Sequence, residues 1–328
     1  PAGDMTARDT LLVLHDLRVH FETERGIARA VDGVDLTLYR GERFGLVGES
    51  GSGKSTLLLS LLRMIREPGR IVAGSAHLEG TDLLQLDEET MRQTRLQRVA
   101  MIPQGAMNSL NPVMRVGEQI RLAITEHDEG SVADERIDDL LRRVGLPAAT
   151  SGLYPHELSG GMKQRVCIAM AISLSPQLIL ADEPTSALDV VVQRRIMQTL
   201  AGLQNELGAT VLLVGHDMGL MAQSVERLGI MYGGNIVEVG TVEEIFAAPK
   251  HPYTRQLIDS IPVFGERRDF RPIPGGAMSL LEPPTGCYFH PRCPEVMDRC
   301  RALAPDLRDT AEDHQVACWL HHQDSIDV

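Results

Sequence analysis

The sequence predicts an α/β fold, a mostly parallel sheet flanked by helices and interrupted by a helical insert, on three observations. Short apolar runs at 44–47, 99–102 and 178–181 read as strands, the last continuous enough to be buried on both faces. Stretches with apolar residues at helical spacing lie between such runs, so strand and helix alternate. A block from about 105 to 165 then changes character, with Asn, Pro and charge spacing out helical pieces. Composition agrees with a globular chain: 328 residues, 43% hydrophobic and 23% charged, long enough for about two domains. Lys plus Arg number 32 against 45 Asp plus Glu, a net charge of −13, which argues against nucleic acid as a main partner. No apolar run approaches the roughly 18 residues of a membrane span. Pro1-Ala2-Gly3-Asp4-Met5 lacks the layout of a secretory signal.

The elements follow in order. Residues 11–14, 18–21 and 34–39 are β-leaning runs separated by Asp, Gly and Glu. The strand at 44–47 feeds a glycine-rich turn, and the Leu-rich segment 54–66 reads as a helix stopped by Pro68-Gly69. A strand at 99–102 precedes the insert, where 134–144 puts Ile137, Leu140, Leu141 and Val144 on one helical face. After the strand at 178–181, Val192, Ile196, Leu200, Leu203 and Leu207 recur at helical spacing, and 210–214 is again strand-like. Between 261 and 294 the texture shifts, since seven of the chain's 18 prolines fall there.

Gly48-Glu49-Ser50-Gly51-Ser52-Gly53-Lys54-Ser55 fits the phosphate-binding pattern G-x-x-x-x-G-K-[ST], between a strand and a helix as the chemistry needs. Glycines let successive backbone N–H groups turn inward around phosphate oxygens, and the helix N-terminus adds positive potential. Lys54 can reach β- and γ-phosphates, the Ser55 hydroxyl can ligate Mg²⁺, and Thr56 continues the first turn. A dinucleotide fingerprint fails, because its next glycine falls on Thr56. Downstream, the strand ending in Asp182-Glu183 offers two carboxylates, Asp182 for the Mg²⁺ shell and Glu183 for the attacking water.

Leu158-Ser159-Gly160-Gly161-Met162-Lys163-Gln164-Arg165 resembles the signature sequence of ABC-type ATPases, with Met162 where many members have glutamine. Gln104 is similar to their Q-loop glutamine, Ser186-Ala187-Leu188-Asp189 to the D-loop, and His216 to the switch histidine. Gly215 stands where a hydroxyl residue is common. These motifs keep the family's order over residues 10–250. The resemblance implies a P-loop NTPase (RecA-like) core with an antiparallel β subdomain and a helical insert. It implies ATP and Mg²⁺ as cofactors, with Ser55, Gln104 and Asp182 around the metal. Glu183 would be the general base and His216 would hold the γ-phosphate. Ser159, Gly160 and Gly161 would face ATP on a second ATPase subunit. An aromatic beside the adenine is expected, and Phe21 is the candidate, as stacking partner or as plain core residue.

The stretch from Gln104 to Pro112 and His251-Pro252-Tyr253-Thr254 resemble the oligopeptide/dipeptide importer branch, and Pro68-Gly69-Arg70-Ile71 the first of its two paired ATPases. Residues 1–250 then form the ATPase domain, and 251–328 a C-terminal extension of that branch. The implied partners are a second ATPase as heterodimer, two transmembrane permeases and an extracytoplasmic solute-binding protein. The place implied is the cytoplasmic face of the inner membrane, as a peripheral subunit. The alternative is a soluble ABC ATPase in DNA repair or translation; such chains usually carry two cassettes, a coiled coil or a basic surface.

Four of five cysteines fall as Cys287-x₅-Cys293-x₆-Cys300-x₁₇-Cys318, while Cys167 reads as core. A disulfide-stapled secreted domain would be Cys-dense throughout, and a reducing cytosol disfavours disulfides. Soft thiolates suit zinc or iron–sulfur, yet no C-x₂₋₄-C knuckle and no familiar ferredoxin spacing is present. The extension resembles the branch's C-terminal domain, whose cysteines can hold a [4Fe–4S] cluster, and that is the expectation here. Reduced packing thiols are the other reading.

Overall fold

The computed structural model describes residues 8–105, 109–127, 130, 132–261, 273, 275–276, 278–311 and 313–322. Residues 106–108 of the stretch that resembles the importer branch lie outside these. Two compact units emerge, one of Pro1–Leu11, Leu38–Arg43 and Gln85–Val214, the other of Leu12–Thr37, Phe44–Leu84 and Gly215–Val328.

In the first unit the strands Val99–Ile102, Leu178–Asp182 and Thr210–Gly215 pair in parallel, with Val99 opposite Leu178 and Leu178 opposite Thr210. All five residues of Leu178–Asp182 are buried, as a strand covered on both faces requires. The helix Asp134–Arg143 buries Ile137, Leu140 and Leu141, with Val144 also buried at its end, so the predicted face is the packed one. Val190–Leu207 buries Ile196, Leu200 and Leu203 and ends at Gly208, whose φ of 63° gives a left-handed stop. Val116–Thr125, two short 3₁₀ turns and the start of Gly160–Ala171 complete the helical stretch.

In the second unit, Thr10–Thr23, Gly26–Tyr39, Gly69–Leu78 and Thr81–Asp82 contribute to an antiparallel sheet, in register from Leu12 opposite Leu78 to Phe21 opposite Gly69. The two expected opening strands are one. Asp16, at φ 44°, supplies an irregularity that lets a single strand pass the polar residues read as a break. A second set pairs Arg43–Val47 in parallel with Arg227–Tyr232, followed antiparallel by Asn235–Thr241, His314–Val316 and Arg308–Ala311. The helix expected over 54–66 stops at Leu61. Arg63 takes φ 50°, and Arg63 and Met64 donate back to the Ser60 and Leu59 carbonyls, a helix-ending pair of bonds that needs no proline.

The chain beyond residue 250 falls in this second unit. Its core is aromatic. Tyr232, Tyr253 and Phe289 meet with ring centroids 4.7, 5.2 and 5.4 Å apart. Beneath them Glu238, fully buried, accepts from His314 Nε2 at 2.7 Å and from the backbone N–H groups of Lys250 and His251. The Pro-rich extension is therefore held by packing on the strands Arg227–Tyr232 and Asn235–Thr241 as well as by any role of its cysteines. Among the described residues no helix is long and apolar enough to cross a membrane.

Candidate functional site

The predicted site residues divide between the units. Phe21, the loop 48–56 and His216 lie on the second, and Gln104, the signature, Asp182, Glu183 and Asp189 on the first.

The phosphate loop is built by backbone crowding. A Cβ on Gly53, which has φ 103° and caps the helix Lys54–Leu61, would lie 2.0 Å from the Ala30 carbonyl oxygen. One on Gly48 would meet the Met231 carbonyl at 2.1 Å. Only glycine allows this close approach. Lys54 is buried, and its Nζ donates to the carbonyls of Gly48 at 2.8 Å and Glu49 at 2.9 Å and to Ser52 Oγ at 3.3 Å. Ser50 and Gly51 are exposed at the tip, while Ser55 and Thr56 are half-buried in the first helical turn. Phe21 is half-buried over Gly69, where a Cβ would meet its ring at 2.5 Å. His216 is exposed, just before the Asp217 cap of the helix Met218–Ala222. At Gly215 a Cβ would meet only the Met221 side chain, at 2.6 Å, so methionine occupies the space a hydroxyl residue would take.

On the first unit, Asp182 ends the buried strand and Glu183 follows at φ 42°, its N–H donating to the Val214 carbonyl at 3.0 Å. That turn takes the Glu183 side chain out of the strand's alternation. Gln104 Nε2 donates to Glu183 Oε2 at 2.9 Å, which brings together two predicted residues from different strand ends. Ser159 caps the helix Gly160–Ala171 by accepting from the Met162 N–H at 3.3 Å, leaving the N–H groups of Gly160 and Gly161 at a helix start. A Cβ on Gly161 would meet Val192 at 2.7 Å, so the signature packs on the helix that Asp189 caps through Val191 and Val192.

The ABC transporter family model matches residues 31–186, and that of the oligopeptide/dipeptide transporter C-terminal region matches 237–300. The probable peptide ABC transporter ATP-binding protein y4tR of Sinorhizobium fredii is 43% identical over 96% of both chains. The chain belongs to the ABC transporter family. The dipeptide transport ATP-binding protein DppD of Escherichia coli is 43% identical over 94% of this chain and 96% of its own. The oligopeptide transport ATP-binding protein AppD of Bacillus subtilis is 40% identical over 97% and 99%. Among solved structures, the dimeric ATP-binding cassette MJ0796 bound to ADP and Pi superposes with TM-score 0.64 at 28% identity, over 71% of this chain and 99% of that one. The protein is thus an ABC ATPase with the P-loop NTPase fold, and transport-protein relatives disfavour the repair or translation alternative.

In this ABC ATPase the four C-terminal cysteines line one small cavity with His251, Phe289 and Trp319. Burial pushes up the thiols of Cys287, to about 11, Cys318, to about 12, and Cys293. Among the described residues no group of three or more His, Cys, Asp or Glu is placed to hold a metal ion. Cys167 is buried, its thiol pushed up to about 12, as a core residue would be.

Two functional neighbours escaped the motifs. Arg292 pairs with Glu49 of the phosphate loop, and Tyr253 Oη accepts from the Glu49 N–H. One signal lay in the sequence: an acid inside a loop that receives phosphates is eased by a cation beside it.

Proposed function

We propose that this chain is the ATP-hydrolysing subunit that energises import of peptides, of the dipeptide/oligopeptide class, through a membrane ABC transporter. It rides as a peripheral subunit on two permeases at the cytoplasmic face. A second ATPase completes a heterodimer in which this chain is the first of the pair, and an extracytoplasmic binding protein delivers solute. One observation carries the reading: a full set of ATPase motifs shares the chain with an oligopeptide/dipeptide transporter C-terminal region.

The reaction is in-line attack of water on the γ-phosphate. Residues 48–56 wrap the phosphates with backbone N–H groups, Lys54 offsets β- and γ-phosphate charge, and Phe21 covers the adenine. Glu183 takes the water's proton, and His216 and Gln104 hold the γ-phosphate end in line. The oxygens of Ser55, Asp182 and Gln104 are the hard donors that suit Mg²⁺, which supplies charge neutralisation when bound with ATP. Ser159, Gly160 and Gly161 present a helix start to the partner's ATP, with Asp189 in the D-loop beside them.

Cys287, Cys293, Cys300 and Cys318 are the proposed ligands of a [4Fe–4S] cluster with a structural role. Their common cavity supports this, as does the soft-ligand chemistry that iron–sulfur clusters select. Affinity purification from the native membrane should retain two permeases and a second ATPase, with hydrolysis stimulated by peptide-loaded binding protein. Recovery with ribosomes or DNA and no permease would contradict the importer reading. Anaerobic preparations should carry iron and acid-labile sulfide; iron-free, colourless protein would remove the cluster and leave the importer standing.

A further inference from the structure

Glu49 is the second residue of the phosphate loop, where negative charge opposes the triphosphate the loop is built to receive. Every polar group it has is engaged. Its carboxylate accepts from both terminal nitrogens of Arg292, Nη2 to Oε1 and Nη1 to Oε2, each at 2.9 Å, the two-pronged geometry that fixes direction as well as charge. Its N–H donates to Tyr253 Oη at 3.0 Å. Its carbonyl accepts from Lys54 Nζ at 2.9 Å.

The holders are themselves held. Arg292 is 9% exposed, lies over the Tyr232 ring at 5.7 Å and donates to Tyr232 Oη at 3.3 Å. Tyr253 is fully buried in the first turn of the helix Pro252–Asp259, which His251 caps by accepting from the Tyr253 N–H. His251 in turn donates its backbone N–H to buried Glu238. A continuous set of bonds therefore runs from the core of the extension, through Glu49, to the ammonium group of the phosphate loop.

We propose that Arg292 and Tyr253 are positioning residues for nucleotide binding: by fixing Glu49 they neutralise its charge and hold the carbonyl that steers Lys54. The C-terminal extension thereby sets how tightly the loop takes ATP. This rests on the loop being the ATP site, the reading given above.

Binding of a trinitrophenyl ATP analogue with Mg²⁺ to the full chain, and its displacement by ATP, tests it. Arg292→Ala, which leaves the Glu49 carboxylate both unheld and uncompensated, raises the ATP Kd about 5–10-fold, whereas Glu49→Gln, which loses the two-pronged hold but also the opposing charge, raises it about 2–3-fold. Their combination is milder than Arg292→Ala alone, because no uncompensated carboxylate is left beside the phosphates. Arg292→Lys recovers only part, since an ammonium cannot fill both prongs. Tyr253→Phe, which keeps the packing, raises Kd about 2–3-fold. Glu49→Gln and Tyr253→Phe carry the test if Arg292→Ala does not fold. A merely structural role lowers the melting temperature and leaves Kd unchanged in all folded variants, which overturns the proposal. Lys54→Ala separates the two readings. If it weakens binding while the other variants do not, positioning fails alone; if it too binds as wild type, the loop assignment falls as well.

Discussion

The phosphate loop and the Gln104–Glu183 pair hold their chemistry in different ways. In the loop the determinants are backbone: glycines with carbonyls about to touch them, and a buried lysine already ringed by three acceptors. Gln104 and Glu183 instead sit at strand ends, Gln104 exposed, with its amide donating to the carboxylate. Where the backbone fixes the geometry, binding is prepared in advance. Where side chains fix it, partners can be exchanged: in the proposed mechanism the amide that now satisfies Glu183 moves off when ATP arrives and leaves the carboxylate to the attacking water.

Lys54→Ala removes the buried ammonium from the prepared loop and costs the most. Loss of two charge-assisted phosphate contacts weakens ATP binding about 100-fold, read by nucleotide titration. His314→Ala comes next, at the foundation of the same unit. It strips a partner from fully buried Glu238, and with backbone donors remaining the cost is about 2 kcal/mol, measurable in urea unfolding. Burial alone would push the Glu238 carboxyl up, but bonds from His314, Thr254 and the N–H groups of Lys250 and His251 outweigh it and hold it below 4.5. Its folded value is depressed, so its contribution is present above pH 4.5 and is lost as pH falls through the lower folded value. Glu238→Gln should flatten that acid limb. Gln104→Ala probes the exchangeable side and has the smallest effect: about 10-fold in hydrolysis at saturating ATP, with little change in ATP affinity.

The same division explains what could be read from the sequence. The strand at 178–181, the helical face of Ile137, Leu140 and Leu141 and the phosphate loop are local patterns, and local patterns survive in one dimension. Residues 62–66 continue the Leu-rich helical pattern in sequence although the helix stops before them, because its stop is Arg63 in a left-handed turn, a conformation that arginine does not advertise. The opening strand was cut in two because an irregularity at Asp16 looks like a loop in sequence. The strands Arg227–Tyr232 and Asn235–Thr241 went unread, although every residue of the first is buried. Glu49 and Arg292 stand 243 residues apart, so no spacing rule could join them. The cysteines were found by count, but the cavity they line with His251 and Phe289 depends on an aromatic core that only folding assembles.

Hydrolysis by the Glu183→Gln chain in its transporter assembly separates ATP binding from proton abstraction. ATP is expected to stay bound through gel filtration, with phosphate release slowed about 10³-fold, the loss of a general base without the loss of binding. Phosphate released at the wild-type rate would contradict the role of Glu183 as that base.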